Sequence, residues 1–239
     1  MTHLRRTVLA ALAVALLAAP VAAADGSHEQ GRDAAVVPVH KVAGIPTGEF
    51  VGERWAEDYE AHASDTPPPP DLCATVGRRH KALIMGPNDA TTTCGVARRT
   101  QLVVFGMGNA CSDVEPDPYF GADEAAQRRC ATKGDYKFVK KIRVSVDGLP
   151  PVDIRTARFE VVTPQMTAEL PEDNVFDIPA QTATLVAHQW MAQVRKLRPG
   201  QHTITVNRVT TEFAITSTFI LNVRRDGHSN AEGGDDERR

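Results

Sequence analysis

Four cysteines, Cys73, Cys94, Cys111 and Cys130, follow an N-terminal stretch that reads as a secretory signal, and this pairing constrains the chain more than any other feature. Arg5 and Arg6 form a positive start, Leu9 to Ala19 an apolar run, and Ala22, Ala23 and Ala24 the small residues that a signal peptidase needs. A signal peptide over residues 1–24 is therefore expected. Neither this run nor any later one is long enough for a spanning helix. The expected address is secreted or cell envelope, where thiols become disulfides. No two cysteines are spaced as CxxC, so a zinc knuckle or a thioredoxin-type motif is not supported. Four cysteines allow three pairings. Neighbours are expected to pair, Cys73 with Cys94 and Cys111 with Cys130. Each bond would close a loop of about 20 residues, worth on the order of 3 kcal/mol in the chain-entropy account.

Losing Arg5 and Arg6 with the signal moves the net charge from −3 to −5. An acidic chain with no evident basic stripe is a poor nucleic-acid binder, so no nucleic-acid partner is expected. Residues 25–48 read as an extended N-terminal arm. Glu49 to Ala63 has helical spacing, with Trp55 and Tyr59 on one face. That pair either docks the helix on the core or forms a sugar platform; docking is the commoner use of aromatics. Pro67 to Pro70 make a polyproline spacer.

Strand signals then take over. His80 to Met85, Leu102 to Phe105, Arg158 to Val162, Ala183 to Val194 and His202 to Val206 are candidates. Ile142, Val144 and Val146 alternate with polar residues before an Asp147-Gly148 turn. In the last strand Phe213, Ile215, Phe219, Leu221 and Val223 share an apolar face that Ser217 interrupts once; Thr216, Thr218 and Asn222 share the other. Short strands, Gly and Pro turns and few helices predict a mainly β fold: an antiparallel β-sandwich or jelly roll over 49–223, with short helices at Glu49 and near Ala122 to Cys130 appended. Residues 224–239 read as a disordered polar tail.

Chemistry is sparse. HExxH and GxSxG are absent, so neither a zincin nor the common hydrolase elbow is supported. The most suggestive stretch runs from Cys111 to Glu124. Asp113, Glu115 and Asp117 alternate, and in an extended backbone would point one way. With Glu124 they make a candidate calcium site, the one cofactor the residues suggest. Counted from Asp113, Glu124 falls where an EF-hand loop places its bidentate glutamate, but Pro118 stands where that loop needs glycine. The plainer alternative is a solvated acidic loop. His202, after Pro199-Gly200, reads as a strand-end cap.

Several pieces together resemble a known group: Leu72-Cys73, Cys94, Cys111-Ser112 with Glu115, Pro118 to Gly121, Asp123-Glu124, Val146 to Gly148, Arg158-Phe159 with Thr163-Pro164, Leu170-Pro171 with Asp173 to Phe176, and Leu197 with Pro199-Gly200 and His202 to Ile204. The chain resembles a family of exported, disulfide-containing bacterial all-β proteins with no assigned activity. The resemblance spans roughly Trp55 to Val206. It implies a β-rich envelope or extracellular protein and carries over no catalytic residue. This chain has His188 to Met191 where that group tends to show a Gly-Tyr-Trp type stretch, so no shared pocket is implied there.

Three functions are consistent with these residues. The first is a secreted, non-catalytic β-sandwich binding a cell-envelope glycan or protein. The second is a secreted hydrolase whose carboxylates, Asp113, Glu115, Asp117 and Glu124, assemble only in the fold. The third is a purely structural envelope protein.

Overall fold

A computed structural model describes residues 35–64 and 71–225. The expected signal segment, the polyproline spacer Pro67 to Pro70 and the tail beyond Arg225 lie outside the described residues. From the N-terminus come β1 (Val36–Pro38), β2 (Lys41–Val42), β3 (Ile45–Pro46), α1 (Thr47–Glu60), β4 (Thr75–Val76), β5 (Ala82–Met85), β6 (Thr91–Ala97) and β7 (Gln101–Ser112). They are followed by α2 (Glu124–Phe138), β8 (Val139–Val146), β9 (Val152–Asp153), β10 (Glu160–Val162), β11 (Met166–Leu170), β12 (Gln181–Val194), β13 (Gly200–Thr210) and β14 (Ala214–Arg224).

Two sheets face each other. The first runs β1-β12-β7-β5-β4, and the long β12 takes β1, β10 and β11 in succession along the edge that β7 does not use. The second runs β6-β14-β13-β8-β9. Pairing is antiparallel except for β5 with β7 and β6 with β14. Trp190, Phe219, Ile142, Ile204, Leu221 and Leu83 fill the space between the sheets. The outer face of the first sheet is covered by α1, through Phe50, Val51 and Tyr59 against Val103, Leu185 and Met191. β12 is thus apolar on both faces, which is why its sequence shows no clean alternation.

Both expected disulfides form. Cys73–Cys94 joins the segment before β4 to β6, so it clips an edge of one sheet to an edge of the other (Cα–Cα 5.3 Å). Cys111–Cys130 fastens α2 to β7 (Cα–Cα 6.0 Å). The part of the expected arm that is described is built into the fold. Val36–Pro38 pairs with β12, and β2 and β3 form a hairpin turned at Ala43 and Gly44, whose φ values are +51° and +95°. α2 runs further than expected, to Phe138, because Gly134 lets it lie against β7: a Cβ there would sit 2.8 Å from the Asn109 amide nitrogen. The expected burial of Phe213 is wrong. It precedes β14, stays 43% exposed and packs on Phe138, and Ile215 is only half-buried, while Ser217, Phe219, Leu221 and Val223 form the inward face.

β7 carries a β-bulge. Gln189 pairs with Gly108 and Met191 with Phe105, so β7 holds one residue more than its partner over that span. Buried Arg208 on β13 reaches across the sandwich to it. Its Nε donates to the Gly106 carbonyl (2.8 Å), Nη2 to the Phe105 carbonyl and Nη1 to Ser217 Oγ (2.8 Å). Ser217 Oγ in turn donates to the Asn88 carbonyl. The polar break in the last strand is therefore a ligand for a buried cation. Burial lowers the Arg208 pKa to about 10, so it remains charged at neutral pH.

Two expectations follow for denaturant unfolding. Phe219→Ala should cost about 3 to 5 kcal/mol and Phe213→Ala less than about 1. Arg208→Met should cost at least about 2 kcal/mol by leaving buried carbonyls unpaired, with no carboxylate to relieve. Equal losses for the two phenylalanines would contradict the assigned faces.

Candidate functional site

The four acids proposed from sequence do not converge. β7 ends at Ser112, and the chain bends there instead of staying extended. The Asp113 carboxylate accepts from the Thr184 backbone N–H and hydroxyl, both at 2.8 Å. Glu115 accepts from the Tyr59 and Ser112 hydroxyls, and burial raises its pKa against the lowering effect of those bonds. Asp117 precedes a cis peptide to Pro118. Glu124 pairs with Arg128 one turn along α2 (2.6 Å). Among the described residues no group of three or more His, Cys, Asp or Glu side chains could hold a metal ion. In the described residues the alternating acids do not form a shared metal-holding group; Asp113, Glu115 and Glu124 are each engaged by separate local partners.

Tyr59 is likewise buried, against Phe176 and Glu115, while Trp55 remains half-buried. Tyr59 docks the helix, and Trp55 lies at the edge of that contact.

A second polar cluster was missed by the sequence reading. Asp135 of α2 accepts from the Asn109 backbone N–H (3.2 Å) and bonds His188 Nδ1 (2.6 Å) in the sandwich interior. Burial raises the Asp135 pKa, opposed by the bond to His188. Asn109 Oδ1, His188 Nε2 and Trp190 Nε1 are buried here without protein partners. Tyr136 packs over His188 and Trp190, and Arg155 lies over the Tyr136 and Trp190 rings. His188 and Trp190 are fully buried, so this pair fastens α2 to the first sheet and offers no face to a ligand.

The surface feature that the fold does assemble is a groove at one end of the sandwich. Register places the start of β5, the β6–β7 turn and the β12–β13 turn together, since Leu102 pairs with both Leu83 and Val194. The groove is about 980 Å³ in volume and lined by six cationic side chains, Lys41, Arg78, Arg79, Lys81, Arg99 and Lys196, with no carboxylate among the described residues that line it. All six are exposed. Residues 36–46, 76–87, 95–104 and 193–202, which build this end, contain no Asp or Glu. The absence of a basic stripe in the sequence is thus corrected by the fold, which gathers basic doublets from separate segments. The signal was present in Arg78-Arg79, Arg98-Arg99 and Arg195-Lys196. Only the strand register could join them.

Beside this end the predicted role of His202 is met. Nδ1 bonds Asp147 Oδ2 (2.7 Å) and Nε2 donates to the Arg198 carbonyl (2.8 Å). His202 thereby ties the Asp147-Gly148 turn to the β12–β13 turn. Burial works against both charges, yet the mutual hydrogen bond holds the Asp147 pKa below and the His202 pKa above their ordinary values. Neither the models of known protein families nor the curated proteins contain a match to this chain.

The pair makes stability depend on pH. A raised His202 pKa means its contribution is complete below the unfolded value near 6.5 and drains away as pH rises through the higher folded value. His202→Asn should therefore destabilise by up to about 1 kcal/mol at pH 5.5 and by clearly less at pH 9. Thermal melts across that range would show it. A loss that does not change with pH would contradict the ion pair.

Proposed function

We propose that this chain is an exported, non-catalytic β-sandwich module that holds an anionic glycan of the cell envelope in its basic groove. The single observation carrying this reading is six cationic side chains around one groove, with no carboxylate among the described residues that line it, in a protein whose net charge is negative. Like charges gathered this way repel one another and are tolerated where an anionic partner offsets them. Two disulfides, and no helix among the described residues long and apolar enough to cross a membrane, fit an extracellular or periplasmic address. The signal-like residues 1–24 support it further. A hydrolase would need acids brought together, whereas Asp113, Glu115 and Glu124 are each engaged by different local partners. The groove is instead built from long flexible cations, which suit a chain of spaced negative charges.

Poly(glycerol phosphate) should bind the full mature chain, and neutral dextran should not. Affinity should fall steadily as salt rises from 50 to 300 mM, because contacts at exposed cations are screened. Arg78→Glu with Arg79→Glu should weaken binding at least about tenfold, equivalent to about 1.4 kcal/mol, while leaving the melting temperature within a few degrees. Salt-independent binding, equal binding of dextran, or stronger capture of duplex DNA than of the glycan would each overturn the reading.

A further inference from the structure

We propose a second binding site, independent of the basic groove, that takes the acetamido group of an uncharged N-acetylhexosamine residue. It lies where α1 passes over the β7 bulge. A cleft of about 240 Å³ opens there, with Gln189 in its lining. Gln189 is only 5% exposed, yet its side-chain amide bonds no other described residue. The other buried glutamine shows the contrast. The Gln127 amide donates to the Gly121 carbonyl and to Thr184, and accepts from Gln165. The Gln189 amide is not among the sealed, unpartnered polar atoms, so it meets solvent in the cleft, which a ligand amide can displace.

β7 and β12 approach closely beside Gln189. Gly108 sits directly across the strand pair from Gln189. A Cβ on Gly108 would lie 2.8 Å from the Gln189 Cβ and 2.3 Å from the His188 carbonyl oxygen, so no side chain can fill that position. Val51, Pro87 and Met107 supply apolar walls, and Trp55 contributes its indole at the margin. Arg54 and Asp58, one turn apart on α1, stand at the rim with their side chains more than half exposed.

These groups select a ligand by chemistry. A primary amide presents a donor and an acceptor in one plane, and its complement is a second amide presenting an acceptor and a donor. An acetamido group supplies that complement, and its methyl meets the apolar walls. The pyranose carrying it offers a weakly polar face to the half-buried indole of Trp55. Its hydroxyls reach the charged rim. The cleft is smaller than the roughly 300 to 1,000 Å³ of sites for drug-sized ligands, so it suits one substituted ring. Uncharged sugar needs no cation, so this site neither relies on the groove nor shares its salt dependence.

Saturation-transfer NMR on the full mature chain tests the proposal with three probes: tri-N-acetylchitotriose, cellotriose and N-acetylalanine N-methylamide. The first should bind with a dissociation constant of about 1 mM or below, show its strongest transfer at the acetyl methyl, and bind equally in 50 and 300 mM salt. Cellotriose should give no saturable signal, and the peptide amide, which has the acetamido group but no ring for Trp55, should bind at least about tenfold more weakly. Gln189→Met, close in shape but without the amide, should weaken binding at least about tenfold. If that variant folds poorly, Asp58→Ala at the exposed rim should weaken binding at least about threefold with an unchanged melting temperature. Equal binding of cellotriose removes the acetamido from recognition and overturns the proposal. So does binding of the peptide amide as tight as that of the chitotriose, which would make the site a peptide site. No binding of any probe overturns it as well, and would leave the groove's salt-dependent binding of poly(glycerol phosphate) untouched.

Discussion

Much of the architecture depends on a buried arginine that has no acidic partner. Arg208 is sealed between the sheets and holds its charge through two consecutive carbonyls, Phe105 and Gly106, and the Ser217 hydroxyl. Two neighbouring carbonyls turned to one guanidinium require the strand to depart from regular pleating, and the β7 bulge supplies that departure. The bulge in turn exchanges the faces of β7. Before it, Leu102 and Val104 point into the sandwich and Val103 toward α1; after it, Ala110 lies on the α1 side and Cys111 bonds to α2. Without the extra residue, Cys111 would sit on the other face, and α2 could not be stapled where it lies. A single-residue insertion thus decides where a helix, a disulfide and a cleft occur.

The same bulge explains what the sequence concealed. Only Leu102 to Phe105 read as strand, since Gly106, Gly108 and Asn109 are residues that signal turns. The structure continues β7 to Ser112 because both glycines are forced by close approach of β12: a Cβ on Gly106 would lie 2.7 Å from the Trp190 carbonyl oxygen. Thr91 to Ala97 was also missed, having few apolar residues for a strand at an open sheet edge. Where one face is buried and the other wet, alternation worked. Ile142, Val144 and Val146 are buried as expected, and so are Phe219, Leu221 and Val223. Phe213 failed because alternation says nothing about where a strand begins. The disulfide pairing was legible; the candidate site was not. Acids close in sequence scattered to local partners, and cations remote in sequence converged, which only long-range register can arrange.

Register also gives the molecule its electrical polarity. β7 runs from Gln101, beside the basic end, to Ser112, where the acidic segment from Asp113 to Glu124 begins. The two ends are separated by on the order of 35 Å of strand. That is several screening lengths at physiological salt, so the acids do little to neutralise the groove. The His202–Asp147 pair holds one of the few carboxylates near the basic end at a turn, already bonded to His202 and to the Thr203 backbone N–H.

Binding and catalysis ask different things of such a frame. General acid–base or nucleophilic work needs polar groups held within hydrogen-bond reach of one reacting atom, with their partners arranged to tune them. The buried polar groups here are arranged otherwise. Asp135 and His188 hold α2 against the first sheet, Arg208 holds the bulge, and Glu115 holds Tyr59 of α1 to the loop after β7. Each joins two elements and is used up in doing so. Long cations stand at one end of the sandwich, and one glutamine amide lines the cleft over the bulge. Cations on flexible stems recognise charge without fixing an atom, and a lone amide recognises an amide without activating it. The internal polar network keeps in register the strands that carry the proposed groove and cleft.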